Sequence, residues 1–110
     1  MVGNVRDLEE GIYRYRSRSH ELRRIKKGDF RELLAELAAE QEWIADAPMV
    51  LAFSAVFGRT TKRYGREGKV YVHLEAGLAT QNVSLQAVSL GLGSVMVGAF
   101  DARAVGRLLR

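Results

Sequence analysis

The stretch of this sequence with the clearest ligand-binding pattern is glycine-rich, GLGSVMVG at residues 91–98. Its spacing is superficially that of a phosphate-binding loop. A dinucleotide-binding loop, however, follows a strand and opens a helix. Gly91 and Gly93 instead follow a predicted helix and precede a predicted strand. The order is the wrong one for a phosphate loop.

Gly98 and Ala99 stand where a predicted strand meets the start of a predicted helix. Backbone N–H groups near the start of a helix are free donors. A glycine at such a position also allows a flat ring to lie against the backbone without meeting a Cβ atom. The residues alone leave two interpretations open, a plain turn or a backbone surface for a ring-shaped ligand.

Two basic stretches could bind anions. The segment GRTTKRYGREGK, residues 58–69, has five cations and one acid, and is predicted to be an exposed loop that either holds a phosphate or is simply solvated. The segment YRYRSRS, residues 13–19, interleaves aromatic and basic side chains, as some RNA-binding strands do. Nine cations face eight acids in residues 1–40, and the net charge of the chain is +4, so a nucleic-acid partner is not expected.

Composition excludes several classes of catalytic site. The chain has no cysteine, which rules out disulfides and thiolate metal ligands. Its two histidines, His20 and His73, are far apart in sequence, so we expect neither a metal site nor a Ser-His-Asp triad. The first ten residues lack the apolar core of a signal peptide, and no segment is apolar enough for a membrane span. We expect a cytoplasmic protein.

The elements that position these residues follow from the periodicity of the apolar side chains. Residues 11–26 predict a hairpin, and residues 30–47 a helix capped by Asp29 and ended by Pro48. Residues 49–57 and 94–100 predict buried strands. Residues 70–90 predict a long helix that is apolar nearly all round, and Asp101 is the predicted N-cap of a closing helix. The prediction is a single α+β domain over residues 1–110, with a small mixed or antiparallel sheet around the long helix.

These segments together resemble the nitroreductase family of flavoenzymes, and within it the branch that includes the peptide-azoline dehydrogenases. The resemblance extends from about Gly11 to Arg107. Its most specific motifs are EAGLATQN at residues 75–82, LGLGSV at residues 90–95 and VGAFD at residues 97–101.

The resemblance implies an intertwined homodimer that binds FMN and transfers hydride from NAD(P)H to an electron-poor small acceptor. Met96, Val97, Gly98 and Ala99 would contact the flavin through their main chain. No catalytic side chain is required, because the flavin carries the chemistry. The long helix would form the dimer interface. Arg63 and Arg66, in the basic segment, are candidate contacts of the phosphate.

The sequence departs from the family pattern in three places. An N-terminal Arg/Ser-rich segment that grips the flavin and a C-terminal extension are both expected to be missing, and Leu78 replaces a family histidine. Two alternatives therefore stay open. One is a nitroreductase-fold dimer without turnover, which is either structural or binds a ligand. The other is a basic module that binds nucleic acid or another anion.

Overall fold

The computed structural model describes residues 1–110, which divide into two compact units. The first unit contains residues 1–52 and 97–110, and the second contains residues 53–96. Helices and an antiparallel sheet of two strands make up the chain, in agreement with the predicted α+β class. None of the helices combines the length and apolar character that crossing a membrane requires.

The first unit begins with the predicted hairpin, formed by β1 (Gly11–Arg16) and β2 (Glu21–Lys27). Its register is antiparallel, with a bulge between Ile12 and Tyr13. The alternation of side chains does not identify the buried residue, because Ile12 alternates with the exposed Arg14 and Arg16. Ile12 is 1% exposed and anchors the hairpin to the core.

Three short helices complete the core of the first unit, α1 (Arg31–Leu37), α2 (Trp43–Asp46) and α5 (Ala102–Leu108). The buried side chains that they share with the hairpin include those of Ile12, Leu34, Ala38, Ile44, Val105 and Leu108. The helices are amphipathic, and their apolar faces meet in this cluster.

The predicted continuous helix over residues 30–47 is wrong. Ala39 and Glu40 have positive φ angles, both 56°, and the chain turns there between α1 and α2. The turn allows Leu34 and Ile44 to enter the same core, and this burial offsets the cost of the left-handed backbone. The predicted N-cap, Asp29, is also wrong, because the N-cap of α1 is Phe30. The Asp29 carboxylate instead accepts hydrogen bonds from the Arg31 backbone N–H and guanidinium.

The second unit consists of α3 (Phe57–Tyr64), a 3₁₀ turn (Gly65–Glu67) and α4 (Gly68–Ser89). The basic segment is thus exposed, as predicted, but helical rather than a loop. Aromatic edge-to-face contacts join α3 to α4, through Phe57 with His73 and Tyr64 with Tyr71. A glycine is required at Gly68, because a Cβ atom there would lie 2.9 Å from Thr61 Cα.

The long helix α4 confirms the predicted helix over residues 70–90 and begins two residues earlier. It ends in a Schellman motif, in which the Gly91 and Leu92 N–H groups donate to the Val88 and Ala87 carbonyls at 3.0 and 2.9 Å. Gly91 has the positive φ, 73°, that this cap demands. An all-round apolar helix is expected to be buried on several sides. Within this chain most of α4 is instead exposed: Val72 is buried, but Leu78 and Val88 are 66% and 71% exposed.

The two predicted buried strands are also wrong. In residues 49–57, strand-like backbone pairing is limited to the first two residues. The Val50 N–H donates to the Met1 carbonyl at 2.9 Å, and Met49 forms an isolated β-bridge with Val2. Residues 94–100 form no strand, and most of their apolar side chains are exposed. A charge-free run predicts burial correctly only when neighbouring strands exist to cover it, and neither run has them in this chain.

Candidate functional site

The backbone of residues 94–100 is open to ligands. None of its N–H groups donates a hydrogen bond within the protein, and of its carbonyls only that of Ala99 accepts one. Met96 is 71% exposed, and Gly98 and Ala99 are exposed as well. A buried backbone rarely leaves so many groups unpaired, so this segment remains accessible to solvent or to a bound molecule.

Residues 97–101 are nevertheless fixed to the first unit at several points. Val97 packs against the core cluster. The Asp101 N–H donates to the Leu37 carbonyl at 2.8 Å. The Gln41 side-chain amide donates to the Ala99 carbonyl at 3.1 Å and to the Ala38 carbonyl at 2.6 Å. The free N–H groups of Gly98 and Ala99 therefore have a defined place relative to α1.

Asp101 confirms its predicted role at the start of α5. Its carboxylate accepts hydrogen bonds from the Ala104 and Arg103 N–H groups, each at 2.9 Å. These backbone hydrogen bonds hold the pKa of Asp101 below its usual range, because they favour the ionised carboxylate. The cap fixes the direction in which the chain leaves Ala99 for α5.

The fold itself gives no reason for a glycine at position 98. A Cβ atom built there would meet no other atom within 4 Å, and its φ lies outside the left-handed region. Neither tight packing nor backbone strain therefore explains the glycine at this position within the chain. What the glycine leaves is a bare stretch of backbone beside the exposed Met96 and Ala99.

Arg63 lies in the last turn of α3 and Arg66 in the 3₁₀ turn that follows. Both are exposed and neither forms an ion pair. The Arg63 guanidinium carbon lies 5.3 Å from the centroid of the Tyr64 ring. The predicted site residues are divided between the two units. The first unit contains Val97, Gly98 and Ala99, and the second contains Met96, Arg63 and Arg66. Only part of the predicted site is therefore brought together in one unit.

Sequence reasoning missed Gln41 entirely. Its amide reaches Ala99 because α1 ends at Leu37 and the left-handed turn at Ala39 and Glu40 redirects the chain. Within the predicted continuous helix, Gln41 is an ordinary polar residue. No local signal identifies its role, because that role depends on a partner 58 positions away.

Comparison with known proteins gives the family. The model of the nitroreductase family matches residues 4–110. A protein of Methanocaldococcus jannaschii that bears the name "Putative nitroreductase" is 46% identical over an alignment of 110 residues. That alignment covers 97% of this chain and 56% of the relative, so the chain spans little more than half of the relative's length. No match was found among solved structures. With its sequence matched almost throughout, the chain belongs to the nitroreductase family.

Proposed function

We propose that this protein is a flavin-dependent oxidoreductase that binds FMN and passes hydride from NAD(P)H to an electron-poor small acceptor. The observation that carries the proposal is the open backbone at residues 94–100 in a chain of the nitroreductase family. That segment contains Met96, Val97, Gly98 and Ala99, the residues that the family resemblance assigns to the flavin.

The residues present fit a flavin ring. The polar edge of an isoalloxazine carries both donors and acceptors, and the segment offers unpaired N–H and C=O groups to match them. Gly98 leaves the backbone uncovered, so that a flat ring can approach it closely. When bound, FMN supplies the two-electron redox chemistry, and the protein supplies position and electrostatics.

We assign phosphate recognition to Arg63 in the last turn of α3 and Arg66 in the 3₁₀ turn that follows. Arg63 and Arg66 are exposed and free of ion pairs, and the planar guanidinium fork suits a phosphate. Because both side chains are solvated, their contribution to affinity is modest. The open backbone is therefore the primary determinant and the two arginines a secondary one.

The working form is a homodimer in this proposal. Exposed leucines and valines along α4 include Leu74, Leu78, Leu85 and Val88. Monomeric proteins seldom expose a continuous apolar surface of this extent. A second copy of the chain would cover α4 by the isologous contact that homodimers generally use.

Flavin titration tests the proposal directly. We expect the purified protein to quench the fluorescence of added FMN, and the bound flavin to lose its visible absorbance when NADPH or NADH is added without oxygen. Absorbance should return when a nitroaromatic or quinone acceptor follows. A folded protein that binds no FMN would overturn the proposal. Binding without reduction by either nucleotide would instead support the alternative of a nitroreductase-fold protein that binds a ligand without turnover.

A further inference from the structure

The cations and acids of residues 1–40 nearly balance in number, but they are unevenly distributed along the chain. Between Gly11 and Lys27 the chain has five arginines and two lysines, but a single acid, Glu21. The other acids of residues 1–40 precede the hairpin or follow it. The near balance of nine cations and eight acids therefore hides a strongly basic hairpin.

Little of this positive charge is neutralised within the protein. Arg24 forms an ion pair with Glu9. Arg14, Arg16, Arg18 and Arg23 are exposed and form neither an ion pair nor a hydrogen bond through their side chains. Four guanidinium groups of the hairpin thus remain free.

The register of the strands concentrates these free arginines. Arg14 lies directly opposite Arg23, and Arg16 directly opposite Glu21. Residues opposite each other in an antiparallel pair share a face, and like charges in that position are destabilising. Glu21 forms no ion pair with Arg16, so it does not cancel the charge. Glu21 is the one acid on this face, against Arg14, Arg16 and Arg23, so the face keeps an excess of positive charge.

The hairpin also presents an aromatic ring at its tip. Tyr15 is 55% exposed, and its hydroxyl lies 2.8 Å from His20 Nδ1, with the two rings edge to face. This contact across the turn restrains the tyrosine. A shallow depression beside it is lined by residues 15–19, in which Ser17 and Ser19 flank Arg18. The tip therefore combines guanidinium groups, hydroxyls and a restrained aromatic ring.

We propose that the tip of the β1–β2 hairpin binds single-stranded nucleic acid. Arg16 and Arg18 would hold successive phosphates, and Tyr15 would stack on a base. An acidic peptide would satisfy the arginines but would not use the tyrosine. A membrane surface is disfavoured by the hydrophilic turn, Ser17–Arg18–Ser19, which has nothing to insert into lipid. This inference is independent of the flavin proposal.

The test is fluorescence anisotropy with a labelled oligothymidylate and an oligouridylate over a series of salt concentrations. For the double variant R16Q/R18Q, the slope of log affinity against log salt should become shallower by about 1.4, since each phosphate contact on a single strand contributes about 0.7. The double variant R16K/R18K should keep most of that slope. Tyr15→Leu should weaken binding about tenfold with the slope unchanged, because base stacking is not a charge effect.

The matched control is R59Q/K62Q, which removes the same charge from α3. It should retain binding. The arginine and lysine variants should keep the wild-type melting temperature, Tyr15→Leu is compared once circular dichroism shows that it is folded, and every variant should keep the wild-type FMN affinity. The proposal is overturned if wild-type protein binds neither oligonucleotide at low salt, or if the control weakens binding as much as R16Q/R18Q. It is also overturned if polyglutamate competes as well as the oligonucleotide, which would indicate an acidic protein partner.

Discussion

Gln41 and Ala99 are joined by a hydrogen bond from Nε2 of the glutamine to the carbonyl oxygen of the alanine, 3.1 Å long. The same amide group donates to the Ala38 carbonyl at 2.6 Å. One side chain therefore connects the end of α1 to the segment that we assign to the flavin. The left-handed turn at Ala39 and Glu40 places Gln41 for this contact.

Removing the amide should loosen the segment. We expect Gln41→Ala to lower the free energy of unfolding by about 1–3 kcal/mol, since each of its two hydrogen bonds contributes about 0.5–1.5 kcal/mol net. Hydrogen exchange at the Asp101 amide should accelerate, because that N–H bonds to Leu37 next to the lost contact. Thermal melts and NMR-detected exchange measure the two effects.

The control for this prediction is Gln81→Ala on α4, where the side chain is exposed and forms no hydrogen bond. It should change neither stability nor exchange at Asp101. Equal protection of the Asp101 amide in Gln41→Ala and wild type would show that the contact does not hold the segment.

Features that rest on local sequence were predictable. The hairpin follows from alternating side chains between Gly11 and Lys27, α4 from its long helical pattern, and the start of α5 from the capping preference of Asp101. Each depends on residues within a few positions of one another. The Schellman cap at Gly91 belongs to the same group.

Features that depend on distant partners were not predictable. The turn at Ala39 and Glu40 overrides good helix formers, because burial of Ile44 beside Leu34 outweighs local preference. The run at residues 49–57 has a strand-like composition but lacks neighbouring strands within the chain. Within the candidate site, Gly98 and the N-cap Asp101 were predictable from the sequence. The hydrogen bond of Gln41 with Ala99 was not, because it joins residues far apart in the chain.

Asp101 should make the stability of α5 dependent on pH. Its pKa in the folded protein lies below the ordinary value of 3.8, so its contribution is present above that value and is lost as the pH falls through the lowered pKa. Asp101→Ala should lower the melting temperature at neutral pH, and the difference from wild type should shrink in acid. Asp101→Asn, which retains a capping oxygen, should be milder. Circular dichroism follows the unfolding. If Asp101→Ala lowers the melting temperature by the same amount at pH 7 and at pH 2, the prediction is contradicted.

Gly98→Val should weaken FMN binding without harming the fold. A Cβ atom at position 98 meets no atom within 4 Å, and the φ angle suits any residue, so the apo protein should melt at the wild-type temperature. The valine would lie between the backbone and the ring, and overpacking of about 1–3 kcal/mol corresponds to a roughly 5- to 150-fold loss of affinity. Fluorescence titration gives the affinity.

Gly93→Val is the matched control for Gly98→Val, because position 93 is equally uncrowded and also has no left-handed φ. It lies outside the assigned contact residues and should bind FMN like wild type. A Gly98→Val protein with unchanged FMN affinity would remove the flavin site from this segment.

Arg63 and Arg66 should contribute to FMN affinity but not determine it. The double variant R63Q/R66Q should weaken binding by less than about a hundredfold, because exposed charge contacts contribute little individually. Riboflavin, which lacks the phosphate, should bind the variant and wild type equally. Complete loss of FMN binding by a folded R63Q/R66Q protein would make this basic cluster the main phosphate site.

The dimer should depend on leucines of α4 that a single chain leaves exposed. Leu78 and Leu85 are 66% and 60% exposed and are seven residues apart, on one side of the helix. Because neither is buried within the chain, L78D/L85D should retain the folded monomer while losing apolar burial of about 1.5–3 kcal/mol per leucine. The dimer dissociation constant should then rise by more than about a hundredfold.

The control S84D/Q86D adds the same charge to the same helix at two polar positions, each about 100° around the helix from Leu85, and it should affect the dimer much less if the leucine face forms the interface. Light scattering and sedimentation at micromolar concentration measure the association, and circular dichroism checks the helix. A wild-type protein that is monomeric under these conditions would refute the α4 interface. Equal dissociation of the two double variants would attribute the effect to charge rather than to the apolar face. Dissociation of L78D/L85D alone would identify the exposed leucines as the residues that hold two copies together.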